Sequence, residues 1–281
     1  MTTYGPEIFE QLPPEPGDLF KLDGVSQRIE EAIRFARQVA DEHDGITVSH
    51  SGGKDSVVLA WIIQAAGIQN FELVYCNTGN EHRAVIDFVR SIGNVTMLRA
   101  PGSWYTQLLK KGLPTARRRW CCWERKERWL HKHADGRFQF LGTRAAESNR
   151  RAKQKRVELH TRSGGILVRP IHHLKNGDIW YLIERERLPI CKLYELPGVS
   201  RLGCMVCPMR GRNTHKHAKT LWPKPYAVFE RYARQVYDRH SWDKVPNITC
   251  FEEMLTWYYG GNEPQDSPNQ LRLFSMEDAP E

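Results

Sequence analysis

Ser51-Gly52-Gly53-Lys54-Asp55-Ser56 puts two glycines, a lysine, an aspartate and two hydroxyls into six residues. Those types suit a tetrahedral oxyanion. Glycines let backbone amides approach a ligand, Lys54 adds a point charge, and Ser51 and Ser56 add hydroxyl donors. The spacing is not that of the Walker A loop, which needs four residues between its glycines and a Lys-Ser/Thr ending. A Gly-Gly turn alone is only a turn. The flanks give it meaning: Gly45-Ile46-Thr47-Val48-Ser49 predicts a strand before it, and Val57-Val58-Leu59-Ala60-Trp61-Ile62-Ile63 an apolar helix after it. A strand, a glycine turn and a helix N-terminus together form an anion site for phosphate or sulfate.

Cys121-Cys122 and Cys204-Met205-Val206-Cys207 are the second chemistry-bearing set. They are far apart in sequence, so a shared site has to be assembled by the fold. Adjacent cysteines on a helix diverge, which suits one zinc ion poorly. A 4Fe–4S cubane offers four iron corners to divergent thiolates. Zinc and unliganded or redox-paired thiols remain the other readings. Arg117, Arg118, Arg119, Arg125 and Lys126 surround the pair; they suit a negatively charged cluster, or singly a solvated helix face.

Gly142-Thr143-Arg144-Ala145-Ala146-Glu147-Ser148 is the third set. It follows a predicted strand and runs into Arg150, Arg151, Lys153, Lys155 and Arg156. So basic a loop can grip phosphate bidentately, with Arg144 the first candidate and some later residues simply a basic surface.

The elements that must position these residues alternate. Gln27–Glu42 carries apolar residues at helical spacing. Strands are predicted at 45–49, 71–75, 95–98 and 138–142, with a helix from Glu81 to about Ile92. Such alternation predicts an α/β fold, a doubly wound, mainly parallel, Rossmann-like sheet with ligands at the strand C-terminal ends. The loops after Ser49, Tyr75 and Leu141 should then meet at one crevice. Residues 216–259 look helical. Four segments follow: 1–24 extended, 25–210 a nucleotide-binding domain with the cysteine site, 211–260 helical, and 261–281 an acidic tail. The chain carries a formal charge of +8 over 281 residues, which fits polyanionic ligands or nucleic acid. No run of about 18 apolar residues predicts a membrane span. Met1–Phe20 has no basic-then-apolar order, so no signal peptide and a cytoplasmic location are expected. Seven cysteines in such a chain point to metal or redox chemistry rather than disulfides.

Taken together, Ser51–Ser56, Asn77-Thr78-Gly79, Gly142-x-Arg144-x-x-Glu147-Ser148 and Arg169-Pro170-Ile171 to Asp178-Ile179-Trp180 resemble the phosphoadenosine-phosphosulfate (PAPS) reductase family, over about residues 46–210. That family belongs to the N-type ATP pyrophosphatases, with an adenine-nucleotide α-hydrolase-like fold. Cys121–Lys126 and Leu202–Cys207 resemble its iron–sulfur branch, which includes adenylyl-sulfate reductases and DndC-like DNA-phosphorothioation sulfurtransferases. The resemblance implies Lys54, Asp55 and Arg144 as catalytic residues. It implies nucleotide and phosphate binding by Ser51, Gly52, Gly53, Lys54, Asp55, Ser56, Asn77, Thr78, Gly79, Gly142, Arg144, Glu147 and Ser148. Cys121, Cys122, Cys204 and Cys207 would ligate a 4Fe–4S cluster, with ATP and Mg2+ as the other cofactors. Implied partners are an adenine nucleotide, nucleic acid (DNA or tRNA), and a cysteine desulfurase or other sulfur donor; a homodimer is one assembly it allows, and no membrane is involved.

Two departures matter. Sulfonucleotide reductases carry a tail cysteine in Glu-Cys-Gly-Leu-His, and Leu273–Glu281 has none. Asn77 stands where relatives often carry Asp. Cys250, beside apolar Phe251, Met254, Leu255, Trp257 and Tyr258, is expected to be a buried core cysteine. Cys76 and Cys191 are expected to be structural thiols, with a crevice thiol the alternative for Cys76 and a sulfur carrier the alternative for Cys191. His172 and His173 are a nucleotide contact or a surface pair. His215 and His217 are candidates to extend a basic surface, with Trp222 and Tyr226 as core residues or base-stacking ones. The favoured expectation is an ATP-dependent sulfurtransferase with a nucleic-acid acceptor. The alternatives are a sulfonucleotide reductase giving sulfite and a non-catalytic binding subunit.

Overall fold

The computed structural model describes residues 24–41, 45–240, 242 and 248–260. The expectations for the extended N-terminal segment and the acidic tail lie outside the described residues. In chain order the helices are α1 (Val25–Asp41), α2 (Lys54–Ala65), α3 (Arg83–Ser91), α4 (Trp104–Lys111), α5 (Trp120–Cys122), α6 (Arg128–Ala134), α7 (Asn149–Ala152), α8 (Asn176–Arg185), α9 (Arg212–Leu221), α10 (Pro223–Arg239) and α11 (Phe251–Tyr259). The strands are β1 (Ile46–Ser49), β2 (Phe71–Asn77), β3 (Val95–Arg99), β4 (Phe138–Leu141), β5 (Val157–Leu159) and β6 (Ile166–Val168). Among the described residues no helix is long and apolar enough to cross a membrane.

The chain divides into two compact units. The first comprises residues up to Asn77, Arg83–Leu98 and Glu127–Leu202; the second comprises Thr78–His82, Arg99–Lys126 and the chain from Gly203.

In the first unit the strands form one sheet in the order β3-β2-β1-β4-β6-β5. β1 runs parallel to β2 and β4, β4 parallel to β6, and β5 antiparallel at the edge. The fold is the α/β, mostly parallel sheet that the alternation predicts. Side chains alternate across it. On β2, Phe71 and Leu73 join the core built with α1, α2 and α8, whereas Val74 and Cys76 pack with Leu130 and Trp129 of α6. Helices therefore cover both faces. α2 is buried nearly all round, through Val57, Val58, Leu59, Ala60, Ile62 and Ile63; each valine, leucine or isoleucine side chain among them contributes about 1.5–3 kcal/mol on leaving water. This fixes the helix that begins at Lys54. In register, Ser49 lies between Val74 and Leu141, so the loops leaving β1 and β4 start at one level.

β5 and β6 were outside the strand expectation. Each is three residues long, too short for an alternating pattern to show.

The second unit gathers an aromatic-rich core. Trp104, Leu108, Leu113 and Trp120 pack with Met205, Val206 and with Tyr226, Phe229, Phe251, Met254 and Tyr258 of the C-terminal helices. Tyr226 is thus a core residue.

Candidate functional site

At the end of β1 the backbone turns through Gly52, whose φ is +76°; a Cβ there would lie 2.6 Å from Val85 Cγ1. Both the left-handed angle and the missing space require glycine. The hydroxyls organise the turn. Ser56 Oγ donates to the Gly53 carbonyl at 2.7 Å and accepts the Ser51 N–H at 3.1 Å, while Ser51 Oγ lies 3.2 Å from Ser56 Oγ. Buried His50, which the sequence reading passed over, accepts the Gly52 N–H on Nδ1 at 3.2 Å. Burial lowers its pKa to about 4, so the ring stays neutral and keeps that acceptor.

The loop feeds α2 at its N-terminus, where the dipole is positive. Lys54, 5% exposed, places Nζ 3.5 Å from Asp55 Oδ2 and 3.3 Å from the Ser200 carbonyl. Its amide donates to the Tyr194 hydroxyl at 3.0 Å. From β4, Arg144 reaches the same turn. It is 3% exposed and donates from Nε to Asp55 Oδ1 at 2.5 Å, with further bonds to the Leu174 carbonyl (3.3 Å) and Asn176 Oδ1 (3.4 Å). Two buried cations thus face one carboxylate, leaving net positive charge at a helix N-terminus. Gly142 makes the approach feasible: a Cβ there would sit 3.0 Å from the Asp55 carbonyl oxygen and 3.2 Å from the Ser56 nitrogen. Glu147 accepts the Arg144 N–H at 3.0 Å and pairs with Arg151 and Arg201. Burial pushes the Glu147 carboxyl up, but the Arg144 amide and the two arginines outweigh it and hold it below the usual range. Ser148 caps α7 by accepting the Arg151 N–H.

Ser51–Ser56, Gly142, Arg144 and Glu147 therefore come together in the first unit. Asn77 ends β2 there, while Thr78 and Gly79 belong to the second unit.

In the second unit Thr78 Oγ1 donates to Glu81 at 2.6 Å and lies 3.7 Å from Cys204 Sγ, itself 3.9 Å from Glu81 Oε1. Cys121, Cys122, Cys204 and Cys207 all belong to this unit. The Cys121 thiol is pushed up by its hydrogen bond with Cys122, by burial, and by charge on Cys122, Cys204 and Cys207, so the four are within electrostatic reach. Burial, Glu81 and Cys207 push Cys204 up, while the Thr78 hydroxyl and Lys126 oppose them. Four thiolates so placed need cationic compensation, and the donor set is soft. Among the described residues, no three His, Cys, Asp or Glu side chains converge as on a single ion. Thiolates on separate iron corners do not require that convergence, so these residues fit a 4Fe–4S cluster. The Cys204–Cys207 turn is held through its backbone carbonyls. Tyr258 donates to the Val206 carbonyl (3.1 Å), Tyr226 to the Met205 carbonyl (3.3 Å), and His215 Nε2 meets the Cys207 carbonyl (3.0 Å).

Several expectations change. Cys250 is exposed at the N-cap of α11 rather than buried, because the apolar residues after it turn inward on the helix while the cap faces out. Arg125 is fully buried, donating to the carbonyls of Thr78, Pro101 and Gly102, so it is not part of a solvated face. His215 is 1% exposed and bonded to Tyr226, which removes it from any basic surface. His172 and His173 hold the carbonyls of Arg151 and Arg28. Cys76 and Cys191 are buried, as expected.

The phosphoadenosine phosphosulfate reductase domain model matches residues 45–210. An uncharacterised protein of Methanocaldococcus jannaschii is 29% identical over 231 residues, covering 78% of this chain and 48% of that protein. Sulfate adenylyltransferase subunit 2 of Agrobacterium fabrum is 27% identical over 226 residues, covering 63% of this chain and 66% of that protein. The chain spans about half the length of the archaeal relatives it matches. Phosphoadenylyl-sulfate reductase from Candida auris, solved as a phosphate complex, is similar at a TM-score of 0.50 and 14% identity, covering 67% of this chain and 98% of that one. That likeness is one of fold.

Proposed function

Because the chain belongs to the phosphoadenosine phosphosulfate reductase domain family, we propose that it is an ATP pyrophosphatase-type sulfurtransferase acting on a nucleic acid. The carrying observation is the pair of buried cations, Lys54 and Arg144, set around Asp55 at the start of α2. In this reading Ser51–Ser56 holds the phosphates of ATP, with Mg2+ sharing their charge. An acceptor oxygen attacks the α-phosphorus, the bond to the β-phosphate oxygen breaks, and pyrophosphate leaves. Lys54 and Arg144 stabilise the charge that develops, and the fixed loop orients it. Sulfide from a donor then attacks the atom bearing the adenylated oxygen, and AMP leaves. Cys121, Cys122, Cys204 and Cys207 would hold a 4Fe–4S cluster, which supplies thiophilic iron when bound. The name of the Agrobacterium relative, an adenylyltransferase subunit, supports adenylyl transfer, and the +8 charge supports a polyanionic acceptor.

The exposure of Cys250 supports a second reading, reduction of a sulfonucleotide, since attack on its sulfur needs an accessible thiol. The two separate in one experiment. Anaerobically purified protein is given ATP and Mg2+ with and without DNA or tRNA, and in parallel the two sulfonucleotides with a thiol reductant. The expected result is nucleic-acid-stimulated pyrophosphate release that falls about 100-fold or more in Arg144→Ala. Cys250-dependent sulfite would replace it with the reductase reading. Iron and acid-labile sulfide are expected in the same preparation; stoichiometric zinc without sulfide removes the cluster.

A further inference from the structure

Both donors of Lys54, its amide and its ammonium, are engaged by one stretch of chain, Cys191–Leu202. The Lys54 amide, first of α2 and aligned with its dipole, donates to Tyr194 Oη at 3.0 Å. Lys54 Nζ lies 3.3 Å from the Ser200 carbonyl and 5.8 Å from the centre of the Tyr194 ring. At Gly53 the absent Cβ would lie 3.4 Å from Tyr194 Oη. A neutral phenol oxygen and a carbonyl oxygen thus take the places that two anionic oxygens would take.

We propose that this strap gates the anion cradle: Tyr194 and Ser200 hold the two Lys54 donors until a nucleotide phosphate displaces them.

The strap is built to open at one end. Its start is fixed, since Cys191 and Leu193 are 1% and 5% exposed and the Cys191 thiol donates to the Ala84 carbonyl at 3.6 Å. From Glu195 to Arg201 no residue is buried, and Gly198 has a φ of +74°. The end is tethered through Arg201 to Glu147 at 3.5 Å, with Arg201 62% exposed, so the tether is weak. Few buried contacts over residues 195–201 mean a small opening free energy for the Ser200 half of the gate, whereas Tyr194, edge-on to Trp180 with ring centres 5.7 Å apart, has to release Lys54 by turning its side chain. Burial raises the Tyr194 pKa to about 12, so the phenol is neutral at working pH. Phosphate oxygens accept charge-assisted bonds about twice as strong as neutral ones, and two such oxygens replace both blocking groups.

The gate rests on the assignment of Ser51–Ser56 to phosphate, so Lys54→Ala is measured beside Tyr194→Phe on the full chain, by calorimetric titration with inorganic pyrophosphate. Lys54-dependent binding that tightens about three- to tenfold in Tyr194→Phe is expected. Melting temperatures of both variants establish that they are folded. Amide hydrogen exchange of the unsubstituted protein is the second measurement, with faster exchange over residues 195–202 expected once pyrophosphate is bound. Lys54-dependent binding that stays equal or weakens in Tyr194→Phe, or slower exchange in the strap, overturns the gate and leaves the phosphate assignment intact. Binding indifferent to Lys54→Ala overturns both.

Discussion

A methyl group at position 142 has no room to be accommodated by a side-chain rotation, because what it meets is backbone. The ideal Cβ lies 3.0 Å from the Asp55 carbonyl oxygen, 3.1 Å from its carbon and 3.2 Å from the Ser56 nitrogen. Relief requires β4 and the first turn of α2 to separate by a few tenths of an ångström, and that shift falls on the 2.5 Å Arg144–Asp55 contact. Gly142→Ala is therefore expected to weaken pyrophosphate binding at least tenfold while costing about 1–3 kcal/mol of stability, the usual range for overpacking. Gly177→Ala in α8 is the control. Nothing lies within 4 Å of its Cβ, so it should be neutral or stabilising by up to about 1 kcal/mol. Titration with pyrophosphate and urea denaturation read both outcomes; equal binding in the two variants would remove Gly142 from the site. Glycine at 142 was visible in the sequence as part of a motif. Its reason, a close approach between backbones 87 positions apart, was not. Tyr194 and His50 were missed for a related cause: each acts through one hydrogen bond to a loop amide, and a single bond leaves no pattern.

At the scale of elements, a turn of π-helix at Trp123–Glu127 follows α5 and carries Arg125 into the interior of the second unit. Its guanidinium donates to the carbonyls of Thr78 (3.0 Å), Pro101 (2.6 Å) and Gly102 (3.0 Å). One side chain thus ties together stretches around 78, 101 and 125, the first of which contacts Cys204 through Thr78. Arg125→Met would leave three buried carbonyls short of donors, at a cost of about 3 kcal/mol. Arg125→Lys should rescue little, because one ammonium cannot reproduce a planar fork. The measurement is urea denaturation with iron content of the anaerobic protein; both variants should fall in both. Full iron with unchanged stability would show that the tie is dispensable. Local sequence pattern gave β1 to β4 and the long helices, since each of these elements is long enough to show an apolar run or a helical period. It could not give the tie at Arg125, because three carbonyl acceptors have no sequence signature and a basic residue beside Glu124 and Lys126 resembles a solvated one. The same limit hid β5 and β6 and misplaced Cys250 in the core.

For the molecule as a whole, the buried histidines set how stability depends on pH. Burial lowers His50 and His215 to about 4, and burial with the charge of His160 lowers His131 to about 4, against an unperturbed value of about 6.5. His50 keeps company with the Gly52 amide, and His131 Nδ1 lies 2.6 Å from Gln139 Nε2. Between pH 6.5 and 4 the unfolded chain binds protons at these positions and the folded chain does not. Stability therefore rises with pH across that window and is lost as pH falls from 6.5 toward 4. For fully buried His50 the loss is on the order of 3 kcal/mol at the low end; His131, half-buried, contributes less. Carboxylates act lower down. At Asp178 burial pushes the pKa up, but the Arg28 hydrogen bond, the Lys175 amide and their charges outweigh it. That contribution is present above about pH 4 and lost as pH falls through the depressed value. Urea midpoints should be level above about pH 7, decline from 6.5 downward, and decline again below 4. His50→Asn keeps an oxygen acceptor for Gly52 and removes the titrating ring. It should flatten the first decline by close to one proton at pH 5 while leaving the second unchanged. A first decline of undiminished slope in that variant would place its origin elsewhere in the molecule.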